Sequence, residues 1–436
     1  MKYFGTDGIR GSYGGDCINE NFFEKLGAAV SVYFTGRTPR IAIAGDPRFS
    51  SESLKAAFCK GLRAAEVFDC GTIPTPALAL AVLEKSADLG VMITASHNPS
   101  TDNGIKFFNS KAQKADDDFQ TEIEKLLDAN AVAEGGEIKL SKFDMKSVYI
   151  AKMSLVLPAG SLAGMRIALD CANGATAGIS GVVLRNLGAE VFEIGVSPDG
   201  KNINDGIGSE HTQKLSELVA AKKADMGLAH DGDGDRLVVC DKNANQIPGE
   251  CVLGLIALEA KRTGELRGGV VTTIQSNTGL DEALREKGLD VCRSGIGDRL
   301  VMQLMLDKNS NIGGENSGHY IFTDISPCGD GLAAALKFLA TLAQSKTDIS
   351  EVGALIPLYP SASKAVKVSR KIPLEQTATL KKSAEACEVQ LAGRGRVLVR
   401  YSGTENKIRL LLESADSALL EPLMKDLLKS VENDLQ

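Results

Sequence analysis

Short apolar runs that stop abruptly on small or polar residues recur along the chain, as in "RIAIAGDPR" (40–48), "RIALDCANG" (166–174) and "GGVVTTIQSNTG" (268–279). Such runs have the character of buried strands. Each is followed by a stretch whose apolar residues return every three to four positions, such as "SSESLKAAFCKGLRAA" (50–65), the period of a helix that buries one face. Strand–helix–strand alternation predicts mostly parallel sheets with helices on both faces.

The unit repeats. "AAEVFDCGTIP" (64–74) with "ADLGVMITASHNP" (87–99) matches "GAEVFEIGVSP" (188–198) with "ADMGLAHDGDGDR" (224–236). A weaker copy joins "GLDVCRSGIGDR" (288–299) to "SNIGGENSGHYIF" (310–322). In all three an acidic residue and a valine precede a glycine: Glu66-Val67 to Gly71, Glu190-Val191 to Gly195, Asp290-Val291 to Gly295. The pattern predicts three similar α/β domains, 1–150, 151–248 and 249–358. From 359 to 436 the copy is lost. "SKAVKVSRKIP", "RGRVLVRYSG" and "IRLLLES" there read as strands with helices between them, a smaller C-terminal α+β domain. Ligand loops in open α/β sheets lie at the carboxyl ends of strands. That rule singles out T-A-S-H-N-P, D-G-D-G-D-R and G-E-N-S-G-H, one loop per copy.

Composition narrows the class. A chain of 436 residues exceeds one ordinary core, and its net charge of −7 argues against sequence-independent nucleic-acid binding, which needs a basic stripe. Nine cysteines at irregular spacing, with no C-x-x-C pair, read as reduced core thiols. The opening "MKYFGTDGIRGSYGG" lacks the apolar centre of a signal peptide. No apolar run reaches the ~18 residues of a membrane span. A cytoplasmic protein without nucleic-acid or membrane partners is expected.

"DGDGDR" (231–236) is the strongest chemical signal: Asp231, Asp233 and Asp235 alternate with glycines that let three carboxylates converge. Such a cluster repels itself without a cation, and hard oxygen ligands suit Mg²⁺ or Ca²⁺. A helix-loop-helix calcium site is excluded by Arg236 and Lys242 at its glycine and glutamate positions, and by the strand-like "LVVCD" that follows. Three protein ligands leave a cation short of oxygen, which a phosphate can supply. "RYSGTENKIR" (400–409) offers Arg400, Ser402, Gly403, Thr404 and Arg409, a set suited to a phosphate dianion. "GGENSGH" (313–319) groups Glu315, Asn316, Ser317 and His319, which suit vicinal sugar hydroxyls, with His319 able to exchange a proton. In "TASHNP" the glycines of a nucleophile elbow are missing. A phosphate-carrying Ser96 explains more, since phosphoserine would complete the cation's oxygen set. Lys106, with a pKa lowered by neighbouring cations, would then take and return the hydroxyl proton.

"FGTDGIRG", "TASHNPSTDNGIKFF", "DGDGDR", "GIGDR", "GGENSGH" and "RYSGTENKIR", in this order, make the whole chain similar to the α-D-phosphohexomutases. The resemblance implies four domains around a central cleft, a phosphoserine at Ser96, and Mg²⁺ bound by that phosphate with Asp231, Asp233 and Asp235. It implies that Arg10, His97, Lys106, Arg236 and Arg299 lie near the migrating phosphate, and that Glu315 and Ser317 hold sugar hydroxyls. Arg400, Ser402, Gly403, Thr404 and Arg409 would grip the other phosphate, and His319 is a second candidate for proton transfer. The opening motif and "GDR" (297–299) favour the glucosamine branch, which interconverts the 6- and 1-phosphates through a 1,6-bisphosphate. Rival readings are a glucose or mannose phosphate mutase and a non-catalytic sugar-phosphate sensor. A small sugar phosphate is the expected partner, a hexose 1,6-bisphosphate a possible activator, and the chain a monomer or homodimer. Asn316 replaces the branch's usual glutamine and Asn406 a common proline.

Overall fold

The computed structural model describes residues 2–402 and 406–436. They form two compact units: the chain up to Gln275 with Leu289–Leu355, and Ser276–Gly288 with Ile356–Gln436.

The first unit holds three sheets built on one plan. Strands β1 (Ile9–Ser12), β2 (Arg40–Gly45), β3 (Glu66–Thr72), β4 (Leu89–Ile93), β5 (Asp102–Asn109) and β6 (Lys139–Lys142) take the order β1-β5-β4-β2-β3-β6. Strands β7 (Arg166–Asp170), β8 (Glu190–Ile194), β9 (Met226–Ala229), β10 (Val238–Cys240) and β11 (Gln246–Ile247) take the order β11-β10-β9-β7-β8. Strands β12 (Val270–Thr273), β13 (Val291–Ser294), β14 (Ile312–Gly314) and β15 (Tyr320–Phe322) take the order β13-β12-β14-β15. Each sheet contains the same parallel triplet, β4-β2-β3, β9-β7-β8 or β14-β12-β13. The weak third copy is therefore a copy in topology. Gly71 and Gly195 share a left-handed backbone at φ +69° and +65°, which Gly295 does not.

The sequence pattern missed one feature of the plan. β4, β9 and β14 are each followed by a strand that returns antiparallel beside them: β5, β10 and β15. A strand covered on both faces is apolar throughout, so its pattern carries no direction. The return matters for the site, because the β4–β5 register sets Lys106 opposite Met92 and brings it back toward the end of β4.

The first sheet is covered by helices Glu20–Tyr33 and Ser51–Gly61, whose Phe23, Leu26, Val30, Leu54 and Phe58 pack on Ile41, Ile43, Val91 and Ile93. The two helices meet at glycines. A Cβ on Gly27 would lie 2.1 Å from the Phe58 carbonyl oxygen, and one on Gly61 1.9 Å from that of Glu24.

The second unit is α+β. Strands β16 (Ser361–Lys367), β17 (Gly395–Tyr401) and β18 (Lys407–Ser414) form an antiparallel sheet in the order β16-β18-β17. Helices Ala378–Leu391 and Leu420–Leu435 bury Leu380, Leu391, Leu427 and Val431 with Leu410 and Leu412. Helix Thr278–Glu286, inside the span expected for the third α/β domain, belongs to this unit. Its Thr278 amide and hydroxyl donate to Glu413 at 2.9 and 2.5 Å, and Asn277 donates to the Tyr359 carbonyl at 2.9 Å. An amphipathic pattern shows that a helix has a face to bury, not which surface covers it. All nine cysteines are free thiols, and among the described residues no helix is long and apolar enough to cross a membrane.

Gly61→Ala forces the backbones of the first two helices apart. It should lower stability by about 1–3 kcal/mol, as overpacking does, seen as a lower urea midpoint. An unchanged midpoint would mean that the helix pair relaxes freely.

Candidate active site

β4 ends at Ile93, and the chain turns through Ser96, which adopts the left-handed region at φ +53°. For a residue other than glycine this conformation is costly and is held by its surroundings. The Ser96 amide donates to Thr94 Oγ1 at 2.9 Å, and its hydroxyl donates to Asp231 Oδ2 at 2.6 Å. Asp231, Asp233 and Asp235 lie in the loop after β9, fully buried, with carboxylate oxygens within 4.8 Å of one another. Serine and carboxylates thus come from equivalent strand ends of two sheets. The third sheet supplies His319, whose Nε2 lies 3.0 Å from Asp235 Oδ1 and whose Nδ1 lies 3.2 Å from Ser317 Oγ.

Lys106 answers the triad's charge. Its ammonium is 2.7 Å from Asp233, 3.0 Å from Asp235 and 3.2 Å from Asp7. Burial disfavours the charged amine, but these carboxylates outweigh it and hold the Lys106 pKa well above the ordinary lysine value. The lowered pKa expected from the sequence is corrected. The neighbours nearest the amine are acids, not cations, so Lys106 stays a protonated donor. Burial pushes the carboxyls up, yet Lys106 brings Asp233 and Asp235 below the usual range. Asp231 has no such partner. Burial and the charges of Asp235 and Asp233 raise it to about 7.

His97 stands with its Nδ1 3.5 Å from Ser96 Oγ. Burial and then the charges of Arg236 and Arg10 lower its pKa to about 3, so the ring is neutral and a weak base. His319 is raised instead, because Asp235 outweighs the effect of burial. Each arginine expected near the serine has a carboxylate partner: Arg10 with Asp7, Arg236 with Glu210 at 2.6 Å, Arg299 with Asp117 at 2.8 Å. Glu315 is buried, with its carboxyl pushed up by desolvation, whereas Asn316 is exposed.

In the second unit, Arg400 and Arg409 are register partners on β17 and β18. Like charges directly opposite destabilise a sheet. Burial and Arg409 lower the pKa of Arg400, so an anion there would be welcome. Ser402 is buried, and Lys371, which the sequence reading did not single out, donates to its carbonyl at 2.8 Å. Gly403 and Thr404 lie outside the described residues.

The triad passes a chemical test for a divalent cation. Three buried carboxylates offer only oxygen, and Asp233 Oδ1 is buried without a hydrogen-bond partner. The Ser96 hydroxyl lies beside them.

The sequence reading missed several residues that organise this centre. Asp7 binds Arg10, Lys106 and Lys114, and Lys114 also reaches Asp298 at 2.7 Å. Thr75 donates to Asp233 Oδ2 at 2.6 Å. Asp7 and Asp298 stood inside motifs quoted for their arginines, so a signal existed. Thr75, the first residue of a helix, gave none.

Models of the phosphoglucomutase/phosphomannomutase domains match the chain in sequence: alpha/beta/alpha domain I over residues 1–134, domain II over 148–246, domain III over 248–359 and the C-terminal domain over 364–430. The chain belongs to the phosphoglucomutase/phosphomannomutase family. Within the family it is 41% identical to phosphoglucosamine mutase of Actinobacillus pleuropneumoniae serotype 7, over 99% of both chains. It is 41% identical to that of Haemophilus influenzae, over 99% of this chain and 98% of the relative. Among solved structures it resembles a phosphoglucomutase/phosphomannomutase family protein of Burkholderia thailandensis (TM-score 0.82, 24% identity, 99% and 97% of the chains covered). It also resembles Aspergillus fumigatus N-acetylphosphoglucosamine mutase in complex with GlcNAc-6P and magnesium (TM-score 0.71, 16% identity, 100% and 96% covered). At these identities the structural likeness speaks for the fold.

With the Asp231 carboxyl raised to about 7, a divalent cation such as Mg²⁺ that bound its ionised form below that pH would have to displace a proton. Affinity should fall by about tenfold per pH unit on descending from 7, as one-proton competition requires. Calorimetric titration in buffers of different ionisation enthalpy checks this. Affinity independent of pH between 5 and 8 would contradict the raised carboxyl.

Proposed function

We propose that this enzyme interconverts glucosamine 6-phosphate and glucosamine 1-phosphate, carrying the phosphoryl group on Ser96. The observation that carries the phosphoryl chemistry is the Ser96 hydroxyl, 2.6 Å from Asp231 inside a buried triad of carboxylates. The choice of sugar rests on the 41% identity to phosphoglucosamine mutases over the full chain.

In the forward direction the phosphorus–Oγ bond of phosphoserine breaks as the sugar O1 bonds to phosphorus, giving the 1,6-bisphosphate. After the bisphosphate turns over, the 6-phosphoryl returns to Ser96 and the 1-phosphate leaves. Mg²⁺ held by Asp231, Asp233, Asp235 and a phosphoserine oxygen would neutralise the migrating phosphoryl. Lys106, kept protonated by its acidic neighbours, gives a proton to Ser96 Oγ in the first half while the O1 hydroxyl releases its proton to water; in the second half Lys106 recovers the Ser96 hydroxyl proton and water returns one to O6. His319 is the second candidate for proton transfer. Arg10, His97, Arg236 and Arg299 hold the migrating phosphate, and the carboxylates paired with the arginines keep them ordered until it arrives. Glu315, Asn316 and Ser317 read the sugar hydroxyls. Arg400, Ser402, Gly403, Thr404 and Arg409 grip the phosphate that is not moving; an arginine pair in cross-strand register supports this. A hexose 1,6-bisphosphate would reload a dephosphorylated Ser96. Such an activity fits a cytoplasmic enzyme.

Phosphorus NMR of protein with glucosamine 6-phosphate should show the 1-phosphate appearing, faster than with glucose or mannose phosphates. Release of inorganic phosphate alone would make the protein a phosphatase and defeat the proposal. Ser96→Ala should abolish turnover and the mass gain of about 80 Da expected for the phosphate ester. Lys106→Ala should keep that mass and lose ~10²–10⁴-fold in kcat, the usual worth of acid–base help. Full activity of Lys106→Ala would shift the proton transfer to His319.

Arg409→Ala should raise KM more than it lowers kcat, because a grip on the stationary phosphate stabilises ground and transition states alike. A collapse of kcat at unchanged KM would move Arg409 into the chemistry.

A further inference from the structure

Arg48 is a buried cation that none of the chemistry above uses. Its guanidinium is wholly enclosed, and Nε pairs with Asp46 at 2.9 Å. The remaining nitrogens point into the serine loop. Nη2 donates to the carbonyls of Ser96 and Asn98 at 2.9 and 2.8 Å, and Nη1 donates to those of Asp102 at 2.9 Å and of Pro99. The loop from 96 to 102 is thus wrapped around one charged group. Asp46 also accepts from the Thr94 hydroxyl at 2.7 Å, and Thr94 holds the Ser96 amide.

A second side chain donates to two of the same carbonyls. Asn204, from the second α/β repeat, donates through Nδ2 to Ser96 O at 2.9 Å and to Asn98 O at 3.0 Å. Gly232, between the first two metal-loop aspartates, packs into this junction. A Cβ there would lie 2.7 Å from Ser96 O and 2.8 Å from Asn204 Nδ2. The serine loop and the carboxylate loop therefore touch at the point where Arg48 and Asn204 converge.

We infer that Arg48 and Asn204 form a two-residue clamp on the Ser96 and Asn98 carbonyls that positions Ser96 Oγ against the Asp231, Asp233 and Asp235 carboxylates. Neither residue reaches the reacting atoms, so both are positioning residues. Fixed carbonyls hold a backbone conformation that serine by itself disfavours. They leave the Ser96 hydroxyl, which is turned to Asp231, outside the clamp. The kinetic consequence rests on the mutase reading above. Misplacing a nucleophile by about 1 Å costs on the order of 10²-fold in rate, whereas the sugar and its stationary phosphate are bound elsewhere.

The test uses Asn204→Ala and Arg48→Lys in the full chain, with two readouts. Hydrogen–deuterium exchange should rise at the amides of 95–102 in Asn204→Ala while protection of β2 and β4 stays at the wild-type level. Turnover of glucosamine 6-phosphate should fall 10- to 100-fold in kcat with KM within twofold and a normal unfolding midpoint. Arg48→Lys, which keeps the charge but can reach fewer carbonyls, should fall further. If Arg48→Lys does not fold, Asn204→Ala decides. Unchanged exchange in 95–102 overturns the clamp whatever the activity. A kcat loss no larger than the loss of folded protein, or a rise in KM at constant kcat, overturns its catalytic part. A wild-type protein inactive on every hexose phosphate would defeat the mutase reading alone, and exchange would still decide the clamp.

Discussion

Three carboxylates buried side by side are the constraint around which the rest of this centre is arranged. With oxygens within 4.8 Å, each pair of charges costs roughly 3–4 kcal/mol at an effective dielectric of about 20. No packing of apolar groups offsets that. The surroundings answer it with donors: Lys106 and Thr75 on Asp233, Lys106 on Asp235, whose other oxygen has the His319 ring 3.0 Å away, and Ser96 on Asp231. Asp231, whose only side-chain donor here is a neutral hydroxyl, is the member that keeps its proton toward neutral pH. A cation and a phosphate oxygen would complete what the protein groups only partly compensate.

This arrangement assigns one task to each α/β copy. The first sheet presents the serine and, through its antiparallel return strand, the lysine. The second presents the carboxylates from the equivalent strand end, and the third presents His319 and Ser317. Repetition of a single topology gives three strand ends that face polar work, and divergence of the loops gives each its chemistry.

Charge is handled differently in the two units. In the first, Arg10, Arg236 and Arg299 each have an acidic partner, so their guanidinium groups are held in place and their repulsion is contained. In the second, Arg400 faces Arg409 across two strands and its own charge is disfavoured. Under the mutase reading proposed above, the first pattern would suit an exchange of partners as a phosphoryl group arrives and leaves, and the second an anion that stays bound.

Much was legible in the residues. Strand ends, the repeat, the oxygen-only carboxylate loop and the serine at a strand mouth are local signals, because each depends on residue type and spacing within about ten positions. That the carboxylates of Asp231, Asp233 and Asp235 converge was legible in their alternation with glycines. What stayed hidden depends on direction and on partners distant in sequence. The apolar pattern of β5 could not say that it runs antiparallel, yet this return is what puts Lys106 on Asp233 and Asp235 and raises its pKa where the sequence suggested a lowered one. Nor could "GDPR" announce that Arg48 would bind four carbonyls of a loop about fifty residues away, or Asn204 two of them from another domain. The sequence by itself pointed to the serine, the lysine, the three carboxylates and His319, while Asp7, Lys114 and Thr75 joined them only in the folded chain. Tertiary structure decided their protonation and aim, because those depend on burial and on distances that only the folded chain sets.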